Sequence, residues 1–153
     1  MADDDTKTVP LTVDEYALVK ALRPAMAALT RAFDANLYPL GLTHAEYVTL
    51  MFLSEAPDRS LRLGELARLC QQSPSHVGRT VQRLQAEGLV ERHQSSLDAR
   101  SYRAVLTDAG FARLEQAWPV HIAGVRRNLF DHFEGVDVGA LAAAFQRVAD
   151  SAV

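Results

Sequence analysis

Between residues 60 and 110 the chain runs through two short helical patterns joined by a tight turn, then two strand-like runs, then a new helix start. Few folds accept that order in so short a span, and the winged helix-turn-helix is the one it describes. Gly64 to Cys70 reads as one short helix and Gln71 to Ser73 as the turn. Pro74 stands where the first residue of a helix tolerates proline, with Ser73 as its N-cap. The helix that follows ends at Gly88. Within it Val77, Val81 and Leu84 share one face at helical spacing, which leaves Ser75, Arg79, Gln82 and Arg83 on the opposite face with His76 beside them. Hydroxyl, guanidinium and amide groups are the chemistry that reads base edges and phosphates in a major groove. A merely solvated helix face has the same composition, so geometry has to decide between the two. Beyond Gly88, residues 89–94 and 101–106 read as the strands of a hairpin with a tip at 95–100. Arg100 at that tip suits the narrow minor groove beside the major groove, and Asp98 is expected to hold it as a positioning ion pair.

Helical patterns flank this unit on both sides. Thr12 with Glu15, and Thr43 with Glu46, form capping boxes at the starts of a first and a second helix, and Leu42 and Tyr47 are placed as a hydrophobic staple on the second. The first helix carries a stripe from Leu18 to Leu37 over residues 14–40 and is expected to kink at Pro24; Gly41 ends it. The second runs to about Ala56 and is apolar around much of its circumference, as a core helix is. Thr107 and Asp108 open another long helix, expected to bend at Pro119 and to reach about His132, with Gly110 one turn in where close backbone approach is possible. A last helix is expected from about Val136. Its Leu141, Phe145 and Val148 form a stripe too exposed for a small monomer, so a second subunit is expected to cover it, with Leu18, Leu129 and Phe133 as further dimerisation residues. Residues 1–13 read as a loose arm, 14–56 and 107–153 as a helical dimerisation region, and 57–106 as the DNA-binding lobe of one domain.

A net charge of −3 argues against a nucleic-acid partner only on average. Residues 60–103 hold seven arginines against four carboxylates, a local +3, so the remainder carries −6. No run approaches the roughly 18 apolar residues of a membrane helix, and the acidic opening is unlike a secretory signal, so a cytoplasmic protein is expected. The one cysteine, Cys70, cannot form an internal disulfide and reads as packing. Neither a catalytic triad, a phosphate-binding glycine loop nor a paired-carboxylate motif is present, so no enzyme and no cofactor are expected. A winged helix used only for protein contacts would need no basic recognition face.

Four segments, Leu63 to Ala67, Ser73 to Ser75, Leu84 to Val90, and Asp98 to Ser101 followed by Leu106, Thr107 and Gly110, resemble the MarR family of bacterial transcription regulators. The resemblance extends over about residues 14–150. It implies a mainly α winged helix-turn-helix fold of about six helices with a small β-hairpin wing, and a homodimer on a pseudo-palindromic double-stranded DNA operator, usually as a repressor. It places Ser73, Ser75, His76, Arg79, Gln82 and Arg83 on the recognition helix and makes Arg100 the wing arginine. It further implies a small, often aromatic or phenolic effector in a cleft between the dimerisation helices and the DNA-binding lobe, where Phe33, Tyr38, His44, Tyr47, Met51 and Trp118 are the residues expected. Relatives that sense zinc or peroxides do so through clustered histidines or an N-terminal cysteine. Here His44, His121 and His132 show no such clustering along the chain, so no metal is expected.

Overall fold

Two capping boxes set where the first two helices begin. In the computed structural model, which describes residues 9–94 and 102–151, Thr12 precedes α1 (Val13–Leu37) and Thr43 precedes α2 (His44–Glu55). Each threonine hydroxyl accepts the N–H of the glutamate three residues on at 3.2 Å, and each glutamate carboxylate accepts the threonine N–H, at 2.7 and 2.8 Å. The orphan donors at both helix starts are thereby satisfied. A 3₁₀ turn at Tyr38–Leu40 and Gly41, at φ +73°, turn the chain between them.

The chain continues as β1 (Ser60–Arg62), α3 (Leu63–Leu69), α4 (Pro74–Ala86), β2 (Val90–Gln94), β3 (Tyr102–Leu106), α5 (Asp108–Asn128) and α6 (Val138–Ser151). The three strands form an antiparallel sheet in the order β1-β3-β2, with Ala104 at its centre facing Leu61 on one side and Arg92 on the other. The expected two-stranded wing thus has a third strand at its base. At three residues β1 is too short to alternate, and pairing with β3 is what makes it a strand. Arg103 secures that pairing by donating to the Ser60 hydroxyl at 2.9 Å and the Ser60 carbonyl at 3.0 Å. The expected wing tip, including Asp98 and Arg100, lies outside the described residues.

Burial is concentrated around α2. Tyr47, Leu50 and Leu53 share one cluster with Leu66 of α3, Val77, Val81 and Leu84 of α4, Ala104 and Leu106 of β3, and Leu114 and Ala117 of α5. Each of the larger side chains contributes about 1.5–3 kcal/mol by leaving water. By contrast α1 buries only Leu37, and α6 buries nothing. Between α1, the end of α5 and α6 lies an open groove of about 540 Å³ lined wholly by apolar side chains, among them Met26, Leu29, Leu129, Phe133, Leu141 and Phe145. No helix among the described residues is long and apolar enough to cross a membrane.

Pro24 and Pro119, where a kink and a bend are expected, both stand inside unbroken helices. The carbonyls each proline leaves without a donor belong to Lys20 and Glu115, which are exposed, so water can serve them. The fifth helix stops at Asn128 and a 3₁₀ turn follows at Phe130–His132, while α6 starts at Val138, two residues later than expected.

Gly110 occupies a position that a side chain cannot share. A Cβ there would collide with the Leu89 carbonyl oxygen and lie 2.7 Å from Leu106 Cδ1, whereas Gly64 has nothing within 4 Å of its missing Cβ. Gly110→Ala is expected to lower unfolding free energy by about 3 kcal/mol, and Gly64→Ala, inside α3, to raise it by about 0.5–1 kcal/mol, both read from denaturant unfolding.

Candidate nucleic-acid interface

The tight turn before α4 is made by Gln71, in the left-handed region at φ +52°, and by the Gln72 N–H donating to the Ala67 carbonyl at 3.0 Å. Ser73 then caps the helix, its hydroxyl accepting the His76 N–H at 3.3 Å, with Pro74 in the first turn. The Ser73 and Ser75 hydroxyls lie 3.3 Å apart. Val77, Thr80, Val81 and Leu84 are buried, while Ser75, His76, Arg79, Gln82 and Arg83 are exposed. At about 100° per residue, Ser75, Arg79 and Gln82 fall within an arc of about 60°, and His76 and Arg83 lie along one flank of it. The outward face is therefore a short polar strip with a guanidinium at its middle and no carboxylate on the helix itself.

Arg83 has a second duty that periodicity does not reveal. Its Nε lies 2.9 Å from Oε1 of Glu46, a side chain only 3% exposed, and 3.8 Å from Glu87. Glu46 Oε2 meanwhile accepts both the N–H and the hydroxyl of Thr43, at 2.8 and 2.9 Å. Glu87 in turn lies 3.9 Å from Arg113 of α5, which donates to the Leu40 carbonyl at 2.8 Å. A run of polar contacts thus ties the far end of α4 to the start of α2, to α5 and to the turn that follows α1. Among the described residues Arg79 has no such tether and its charge is uncommitted. In the sheet, Arg92 lies over the Tyr102 ring at 4.6 Å, and Arg103 is taken up by Ser60.

The six residues expected around an effector cleft do not converge on one place. Tyr38 is 81% and Trp118 51% exposed, and Met51 packs against the core. Phe33, His44 and Tyr47 do meet, and His121 of α5, which spacing gave no reason to include, completes their cluster. The His44 and His121 rings stack at 5.4 Å between centroids, Tyr47 and His121 lie at 4.3 Å, and Phe33 contacts both imidazoles at 5.1 and 5.2 Å. The Tyr47 hydroxyl and His121 Nδ1 are buried without a partner among the described residues. Burial, with a contribution from Glu55, pushes Tyr47 up to about 12. Next to this cluster a cavity of about 640 Å³ opens between α1, α2 and the helix-turn-helix; of the six residues only His44 lines it, together with Asp34, Cys70, Gln72 and His76. Burial also pushes the Cys70 thiol up, opposed by Thr49 at 3.9 Å, so the less reactive protonated form is favoured.

Two outcomes follow from this arrangement. Arg83→Ala strands the buried Glu46 carboxylate without a cation and is expected to lower unfolding free energy by about 2 kcal/mol, whereas Arg79→Ala changes it by less than about 0.5 kcal/mol. Both imidazoles of the stacked pair titrate below the ordinary 6.5, chiefly because burial disfavours the charged form; Asp34 partly restores His44, and His44 lowers His121 further. The unfolded chain therefore takes up protons first as pH falls. Stability is complete above about 6.5 and is lost progressively below it until both folded-state values are passed. Melting temperature should drop on acidification from about 7 to 5, and His121→Phe should flatten that drop; an unchanged slope would remove the pair as its cause.

The family model described as MarR family matches residues 40–101. The HTH-type transcriptional repressor Rv2887 of Mycobacterium tuberculosis is 35% identical over 117 residues, which are 76% of this chain and 75% of the relative. Among solved structures, AbsC, a MarR family transcriptional regulator from Streptomyces coelicolor, superposes with a TM-score of 0.84 at 30% identity, covering 94% of this chain and 97% of that one. Sco3205, a MarR family transcriptional regulator from the same organism solved in complex with DNA, gives a TM-score of 0.85 at 30% identity over 94% and 91%. These likenesses span the capped helices, the helix-turn-helix and the strands described above, and the chain belongs to the MarR family, whose members are transcriptional regulators and not enzymes.

Proposed function

We propose that this regulator binds a pseudo-palindromic operator as a homodimer, represses transcription there in the cytoplasm, and is released by a small molecule of aromatic or phenolic type. The observation that carries the DNA reading is the face of α4, where Ser75, Arg79 and Gln82 stand exposed directly opposite the buried Val77, Val81 and Leu84. A helix anchored on one side and polar on the other can enter a major groove as a rigid body, with Ser73 and His76 at its leading end. Arg83 contributes from the flank while held by Glu46. Asp98 and Arg100 are assigned to the minor groove from the sequence alone. The DNA-bound relative Sco3205, at 30% identity, supports the same use of the fold.

The dimer reading rests on the apolar groove between α1, α5 and α6. Phe145 is 51%, Leu18 60% and Val148 62% exposed in the single chain, a concentration of apolar surface that water disfavours. A second copy related by a two-fold axis covers it and brings two recognition helices to half-sites about one helical turn apart. The effector reading rests on the 640 Å³ cavity, which spans the boundary between the long helices and the lobe.

Binding of the purified protein to the region upstream of its own gene and to a random duplex pool, with salt and competitor DNA titrated, tests the whole reading. Enrichment of an inverted repeat, with affinity falling steeply as salt rises, is expected. Arg79→Ala and Arg100→Ala should each weaken binding by about tenfold with melting temperature unchanged. Phe145→Glu should yield a folded monomer that no longer holds the operator. Affinity no greater than for random DNA, or a monomer that binds as well as the parent protein, would overturn it.

A further inference from the structure

We propose that the cavity between α1, α2 and the helix-turn-helix takes a cationic amine carried on an aromatic or other apolar body, and that Asp34 is the group that holds it. The inference rests on the reading of this cavity as the effector cleft and names the charge class of its ligand. Among the described residues neither lysine nor arginine lines the cavity, and Asp34 is its only carboxylate. An anionic ligand placed here would meet Asp34 with no fixed cation to offset the repulsion, and desolvation would add to that penalty. A protonated amine meets the reverse situation. Asp34 Oδ1 already accepts the His44 N–H at 2.7 Å, which orients the carboxylate, and a carboxylate retains further acceptor sites once one is filled. Gln72 also lines the cavity, and its side-chain carbonyl oxygen is buried without a donor among the described residues, so a ligand N–H that reaches it would fill an unmet acceptor. His44 does not supply the missing positive charge, since burial holds it towards its neutral form. Val48 and Phe52 provide an apolar wall, and the volume of about 640 Å³ suits a small ring-bearing molecule.

The same geometry connects occupancy to DNA binding. Asp34 belongs to α1, while Gln72 and His76 stand at the turn and the first turn of the recognition helix. An amine held between Asp34 and the Gln72 carbonyl fixes the separation of those two elements. It shifts the regulator by as much as its affinity differs between the DNA-bound and the free arrangement.

Three molecules sharing one skeleton separate the possibilities by calorimetry at neutral pH: phenethylamine, phenethyl alcohol and 3-phenylpropionate. The amine is expected to bind at least about tenfold more tightly than the acid. Asp34→Asn keeps the acceptor for the His44 N–H and should bring the amine down to the level of the alcohol, with the melting temperature held. Gln72→Leu should weaken the amine and leave the alcohol alone. Val48→Trp, which fills the cavity, should abolish binding of all three in a protein that still melts cooperatively. Tighter binding of the acid, or amine affinity unaffected by Asp34→Asn, overturns the amine assignment and leaves the cleft reading standing. Binding that survives Val48→Trp, or no binding by any of the three, overturns the cleft reading and this inference with it.

Discussion

The Glu46 carboxylate is the group on which the placement of the recognition helix depends. One of its oxygens completes the capping box that starts α2, and the other receives Arg83 from the recognition helix at 2.9 Å. A carboxylate 3% exposed is tolerated only when its charge is matched and its lone pairs are filled, and here Thr43 and Arg83 do both. Arg83 cannot swing away without leaving a buried charge behind. Through Glu87, Arg113 and Leu40 the constraint extends to α5 and the turn that follows α1, so the recognition helix is referenced to the long helices by charge as well as by packing.

Packing is unevenly shared between the lobe and the long helices. Helix α2 is surrounded, with Tyr47, Leu50 and Leu53 at or below 1% exposure, and the lobe built around it is closed in a single chain. The long helices are not: α1 has one buried residue in its whole length and α6 none. The apolar groove between them is the surface on which the proposed dimer rests. The lobe's recognition geometry is thus set within one chain, whereas the spacing of two such lobes would follow from that proposed association.

At the junction of these halves the structure gathers its most unusual chemistry. Among the described residues, two stacked imidazoles, a tyrosine hydroxyl without a partner and a cavity with one carboxylate all lie where α1 and α5 meet α2 and the helix-turn-helix. Polar groups in such a place raise the free energy of the closed arrangement and make it responsive to whatever satisfies them.

Local chemistry made much of this legible from the chain alone. The two capping boxes, the Ser73 cap with Pro74 and the buried and exposed faces of α4 each depend on residues a few positions apart, and such short-range preferences survive into the fold. The departures lie where the partner is distant in sequence. Strand β1 exists because β3 pairs with it; His121 joins His44 across 77 positions; and Arg83, polar and outward by its period, turns to Glu46. The sequence by itself determined the family, the order of the elements and which face of the recognition helix is polar, since these follow from local propensity and periodicity. Only the tertiary structure decided which charges are spoken for and where the cavity opens, because burial and opposite-charge contact are properties of the distances that folding creates.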